Sequence, residues 1–163
     1  MKLGYDFYHR PCLEVAHDLV GKVLHFRGQS LRITETEAYC GENDTACHAF
    51  KGRTPRTEVL YSRAGTAYVY LCYGVHNLLN LVTGEEGEPE AVLIRACEGF
   101  PGPGRLTKYL GITRAENRAD VTGEGELWVE DDGCICQVVT DRRVGIGYAS
   151  QEDQDRPWRF LKK

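Results

Sequence analysis

TAYVYLCYGVHNLLNLVT, running from Thr66 to Thr83, is the stretch that decides the fold. Its first part, Thr66 to Tyr73, is dense in aromatic and β-favouring residues and reads as a strand. Gly74 breaks the run, and Leu78 to Thr83 returns as a second strand, so a tyrosine stands at the tip of a hairpin. The same signal repeats outward. Lys22 to Arg27 and Leu31 to Tyr39 read as paired strands around the turn residues Gly28, Gln29 and Ser30. Ala91 to Cys97 (AVLIRAC) is a short, nearly all-apolar strand. Leu127 to Glu130, Ile135 to Thr140 and Val144 to Ile146 are expected as later strands. Helices are few. Cys12 to Val20 is amphipathic, with Leu13, Ala16 and Val20 on one face and Gly21 as its stop. Arg105 to Leu110 follows the loop GFPGPG as a second helix. Hairpins outnumber helices, so the expected fold is mixed α/β (α+β). It is a single domain around a curved, mainly antiparallel sheet, with flanking helices and a protruding β-hairpin.

A chain of 163 residues is long enough to bury a core without staples. Its apolar and charged fractions are those of an ordinary globular protein. No apolar run reaches membrane-spanning length, and MKLGYDFYHR at the start lacks the apolar stretch of a signal peptide. A cytoplasmic location is expected, nucleoid-associated in a bacterium, and with it a monomer. The seven cysteines are odd in number and scattered, which fits reduced thiols rather than a disulfide framework. No C-x-x-C pair offers a zinc ribbon. The net charge of −4 does not announce a nucleic-acid partner. Its distribution is bipolar, however: Lys51, Arg53, Arg56 and Arg63 form one basic segment, and Arg105, Lys108, Arg114 and Arg118 another.

Chemistry concentrates in TETEAYCGENDTACH, Thr34 to His48. On a regular strand Ile33, Glu35, Glu37 and Tyr39 share a face, with neighbours roughly 7 Å apart. A planar ring stacked on Tyr39 would then place an attached sugar near the Glu37 carboxylate. That arrangement suits hydrolysis of a base–sugar bond by carboxylate-activated water. From spacing alone a solvated polar strand edge is the commoner arrangement for such an acidic pair. A metal-dependent hydrolase using Glu35, Glu37, Asp44 and His48 has plausible ligand types, but their spacing matches no compact metal motif. Tyr73 at the hairpin tip either packs on a neighbouring loop or stands free as a wedge between bases. Arg95 interrupts an apolar strand and needs a partner there: a phosphate, or a carboxylate such as Glu35 or Glu37. GFPGPG is expected to be a structural loop.

Taken together, ETEAY…H…GRTPRTEV…GTAYVYLCYGVHNLLN…AVLIRAC…GPGRLTKYLGIT…RRVGIG…PWRF resembles the alkyladenine (3-methyladenine) DNA glycosylase family. The resemblance runs from the first helix to Trp158-Arg159-Phe160. It implies one glycosylase domain over residues 1–163 without metal or organic cofactor. It also implies that the protein flips a damaged purine from double-stranded DNA and hydrolyses its N-glycosidic bond. Glu37 matches the general base, and Arg95 and the backbone of Val144 match positions that help hold the attacking water. Tyr39, His48 and Tyr70 match the walls of the base pocket, whose electron-rich rings attract a cationic purine. Asn80 matches the residue that crowds the amino group of guanine. Tyr73 matches the wedge, with Val75 and His76 beside it on the hairpin that meets DNA. Arg53 and Thr54 match a segment approaching the DNA backbone. Val75 stands where family members commonly carry methionine, which makes the plug beside Tyr73 smaller.

Overall fold

The computed structural model describes residues 1–163. β3 (Ala67–Cys72) and β4 (His76–Thr83) form the hairpin expected from the opening stretch, with Tyr68 opposite Asn80 and Cys72 opposite His76. From it the sheet continues through β5 (Glu90–Cys97) to the long strand β2 (Gln29–Cys40), then to β1 (Val23–Phe26) and β7 (Leu127–Glu130). Every pairing is antiparallel, and the sheet curls into a half-barrel. Alternation then sorts the side chains. Ala67, Val69, Leu79, Leu81, Val92, Ile94 and Ala38 face the main core, and so do the buried residues of α2 (Cys12–Leu19) and α3 (Pro103–Leu110). The residues between them on the strands face the other way, and there the site lies.

β2 departs from its expected regularity in the middle. Its register slips twice between Ile33 and Thr36, as a bulge makes it do. Ile33 therefore joins Thr36 and Ala38 on the core side instead of sharing a face with Glu37 and Tyr39. Thr36 is locked there by donating its hydroxyl to the Ala16 carbonyl of α2 at 2.7 Å. Beyond the bulge β2 gains a second neighbour, β9 (Arg159–Lys162), which also pairs β8 (Val138–Asp141).

Other boundaries moved for identifiable reasons. The β1–β2 turn is Arg27-Gly28, both left-handed at φ 49° and 81°, so the strand resumes already at Gln29. The buried stripe of α2 is Cys12, Val15, Ala16 and Leu19, which leaves Leu13 exposed, because a helix seam follows i, i+3, i+4, i+7. The strand expected at Ile135–Thr140 begins only at Val138, where β9 offers a partner, and Ile135 is 97% exposed. Val144–Ile146 forms no strand: Gly145 is left-handed at φ 76°, and the Val144 N–H is spent on a side chain. GFPGPG divides into a two-residue strand, β6 (Phe100–Pro101), and the first turn of α3 with proline at its start. Two short helices were not legible as periodic patterns, α1 (Tyr5–Tyr8) and α4 (Gln151–Asp155).

Candidate active site

A cavity of about 630 Å³ opens on the sheet face turned from the core. Neighbouring strands build its wall by alternation: Glu37 and Tyr39 from β2, Leu93 and Arg95 from β5, and Tyr70 from β3. His48 crosses to it from a 3-10 turn, His48–Lys51, beyond the loop that follows β2. Val144 closes the other side from the segment after β8.

Glu37 belongs to the cavity wall but has no exposed surface of its own. The Tyr39 hydroxyl donates to its Oε1 at 2.8 Å, and the Val144 N–H donates to its Oε2 at 2.7 Å. Arg95 Nε stands 3.6 Å from Oε2, an ion pair without a direct hydrogen bond. Burial pushes the Glu37 carboxyl above its ordinary range, while the Val144 N–H, Arg95 and the Tyr39 hydroxyl pull it back down. Burial outweighs them, and the net shift is upward. Burial also holds the Tyr39 phenol far from ionisation, so it remains a donor to Glu37.

The aromatic walls are tightly organised. The His48 and Tyr70 ring centres lie 4.4 Å apart, and His48 Nδ1 is 3.0 Å from the Tyr68 hydroxyl. Burial first, and the Arg56 charge second, lower the imidazole to about 4, so His48 is neutral near pH 7. Asn80 is buried behind these walls rather than on the main cavity. Its amide donates to the Tyr68 carbonyl at 3.2 Å and borders a small void of about 30 Å³ with Tyr39, Tyr68 and Tyr70.

At the rim, Tyr73 is 91% exposed and left-handed at φ 53°, followed by Gly74 at φ 67°. A non-glycine residue in that region is uncommon and is held by its surroundings. The brace is α3. The Thr107 hydroxyl donates to the Asn77 carbonyl at 2.6 Å, and the His76 ring lies so close to Gly104 that a Cβ there would meet it at 2.7 Å. Tyr73 and His76 line the cavity, whereas Val75 is 70% exposed outside it. Arg53 and Thr54 lie off the main cavity. Arg53 pairs with Glu58 at 3.3 Å, and Thr54 borders an adjoining cavity of about 610 Å³ that shares His48, Arg56 and Tyr148 with the first.

The Arg95 partner is thus Glu37. Glu35 pairs instead with Arg159 at 2.8 Å, across the β2–β9 ladder. The alternative metal set scatters: Asp44 is clasped by Arg143, Glu35 by Arg159, and His48 by Tyr68. No group of three metal-ligating side chains comes together anywhere in the chain. Arg56, Tyr148 and the Asp44–Arg143 pair are site features that sequence reasoning missed. Arg56 was legible only as one of a basic run, and nothing in the spacing of Asp44 and Arg143 announced a pair.

A family profile described as methylpurine-DNA glycosylase (MPG) matches residues 6–101 and 98–163. A protein of Methanocella arvoryzae named "Putative 3-methyladenine DNA glycosylase" is 50% identical over 185 residues, covering 99% of this chain and 92% of that one. The Rickettsia felis protein of the same name is 42% identical over 98% of this chain and 92% of its own. That of Psychrobacter cryohalolentis is 45% identical, over 88% and 84% respectively.

Proposed function

The chain belongs to the methylpurine-DNA glycosylase family, and from that footing we propose that it releases alkylated or deaminated purines from duplex DNA by hydrolysing the N-glycosidic bond. One observation carries the mechanism. A buried carboxylate, Glu37, is held by two hydrogen-bond donors and a nearby guanidinium at the wall of an aromatic-lined cavity. Tyr39, Tyr70 and His48 would receive the flipped base, with Asn80 behind them limiting its depth. Glu37 takes a proton from water positioned beside Arg95 and the Val144 backbone, and the hydroxide attacks the sugar carbon as the base departs. A carboxylate held above its ordinary range is, in its ionised form, a stronger base toward water. The cavity wall carries no lysine, which supports simple hydrolysis to an abasic site over Schiff-base chemistry. Residues 1–163 then act as one glycosylase domain.

Incubation in EDTA with a duplex containing 3-methyladenine-type damage or hypoxanthine, followed by hot alkali, tests this. Base release is expected to survive EDTA and to fall by about a hundredfold to ten-thousandfold in Glu37→Gln. Release that EDTA abolishes would return the metal reading, and binding without release would leave only a DNA-binding module.

Tyr73 we assign as the wedge that fills the space left by the flipped nucleotide, with Val75, His76, Arg53 and Thr54 around it toward DNA. Tyr73→Ala is expected to weaken binding to lesion duplex far more than to a single-stranded lesion, since only the duplex must be unstacked. Equal loss in titrations on both substrates would remove the wedge role.

A further inference from the structure

Arg56 is the unclaimed charge at the base-binding walls. The neighbouring arginines each have an acid: Arg53 has Glu58, Arg95 has Glu37 and Arg143 has Asp44. Arg56 forms no ion pair, and its guanidinium carbon lies 5.3 Å from the centre of the Tyr70 ring. One face of the Tyr70 ring, whose electrons would attract a cationic base, thus already has a protein cation over it. Tyr39, the opposite wall, carries a guanidinium too, Arg143 at 5.0 Å, but there Asp44 balances the charge. His48 completes the walls as a neutral ring, held so partly by Arg56 itself. The remaining charges on the cavity are Glu37 and Arg95, which pair with each other, and Arg105 near the α3 end. The region that holds the base thus has a net positive field, contrary to the cation-attracting box that the aromatic residues alone suggest.

We propose that Arg56 is a specificity-determining residue that tilts the site from cationic purines, such as 7-methylguanine, toward neutral ones, such as hypoxanthine. The assignment rests on the glycosylase reading and ranks substrates within it. Two positive charges roughly 5 to 9 Å apart in partly solvated surroundings oppose each other by an amount that corresponds to about threefold to tenfold in discrimination. Arg56 is exposed, so the lower part of that range holds unless bound DNA excludes water.

The measurement is kcat/KM on two duplexes of identical sequence, one with a single 7-methylguanine and one with hypoxanthine. Wild type, Arg56→Gln and Arg56→Lys are compared. In Arg56→Gln the 7-methylguanine to hypoxanthine ratio is expected to rise about threefold to tenfold, whatever happens to overall DNA affinity. Arg56→Lys keeps the charge and should keep the wild-type ratio. An equal change on both duplexes would make Arg56 a backbone-phosphate contact and overturn the assignment, as would a fall in the ratio. If the wild type releases neither base, the glycosylase reading itself falls. Release of both with an unmoved ratio overturns only the role of Arg56.

Discussion

Glu37 and Asp44 are both buried, seven residues apart on one run of chain, and they are treated very differently. Asp44 receives both arms of Arg143, at 2.6 and 3.0 Å, and the N–H groups of Cys40 and Ala46 at 2.9 and 3.0 Å. Every lone-pair direction is answered, and Asp44 is absent from the cavity wall. Glu37 has two hydrogen bonds and a guanidinium at 3.6 Å, and it faces the cavity. Full satisfaction makes a structural pair, whereas partial satisfaction leaves a carboxylate able to accept a proton. The two are also linked. Arg143, fixed by Asp44 and by the Ala38 carbonyl at 3.0 Å, immediately precedes Val144, whose N–H reaches Glu37. The rigid pair therefore aims the donor to Glu37, the proposed general base.

Breaking the rigid partner gives the largest stability effect. Asp44→Asn preserves shape but leaves Arg143 charged, buried and unmatched, so unfolding free energy in urea should fall by about 3 to 5 kcal/mol. Activity of the folded fraction should fall as well, because the Val144 N–H loses its anchor. A loss below about 1 kcal/mol would mean that the Asp44–Arg143 pair contributes no more than a surface bridge.

Glu37, the proposed general base, should behave oppositely toward pH. A carboxyl raised in the folded state is destabilising when ionised. Its contribution to stability is fully present below the unfolded value and is lost as pH rises through the folded one. Glu37→Gln removes that loss, so its stability should equal or exceed wild type at pH 7 and fall less between mildly acidic pH and neutrality. Catalysis needs the ionised form, so the acid limb of kcat should lie above the ordinary glutamate value of about 4.3. An acid limb at or below that value would show that Val144, Arg95 and Tyr39 outweigh burial once DNA is bound.

Much of this pair of environments was readable from the chain. The hairpin around Tyr73, the alternation that puts Glu37 beside Tyr39, and the isolated charge of Arg95 are local signals, set by strand periodicity and by the cost of an unpaired charge. What escaped was non-local. Ile33 changed face because a bulge, which leaves no mark in the residue pattern, adds one position to β2. β9 was missed because it has only four residues, Arg159–Lys162, and exists through its pairing with β2 and β8. Val144 was placed in a strand by its apolar neighbours, but Gly145 turns the backbone and frees the N–H for Glu37. Asp44 and Arg143, 99 residues apart, meet only after the sheet has curled.

Glu35 supplies the smallest and sharpest contrast, since it lies two residues from Glu37 on the same strand. It is part-exposed, and its Arg159 partner is shared with Asp141 at 3.2 Å. Removing one member therefore leaves the guanidinium still partnered and reachable by water. Glu35→Gln should cost about 0.5 to 1 kcal/mol in a denaturant titration, less in high salt, and change the rate of base release less than about twofold. A loss of activity approaching that of Glu37→Gln would mean that the β2–β9 ladder transmits the Glu35–Arg159 pairing to the reacting carboxylate. In that case the division between a structural and a reactive acid would fail at the position where sequence made the two glutamates look most alike.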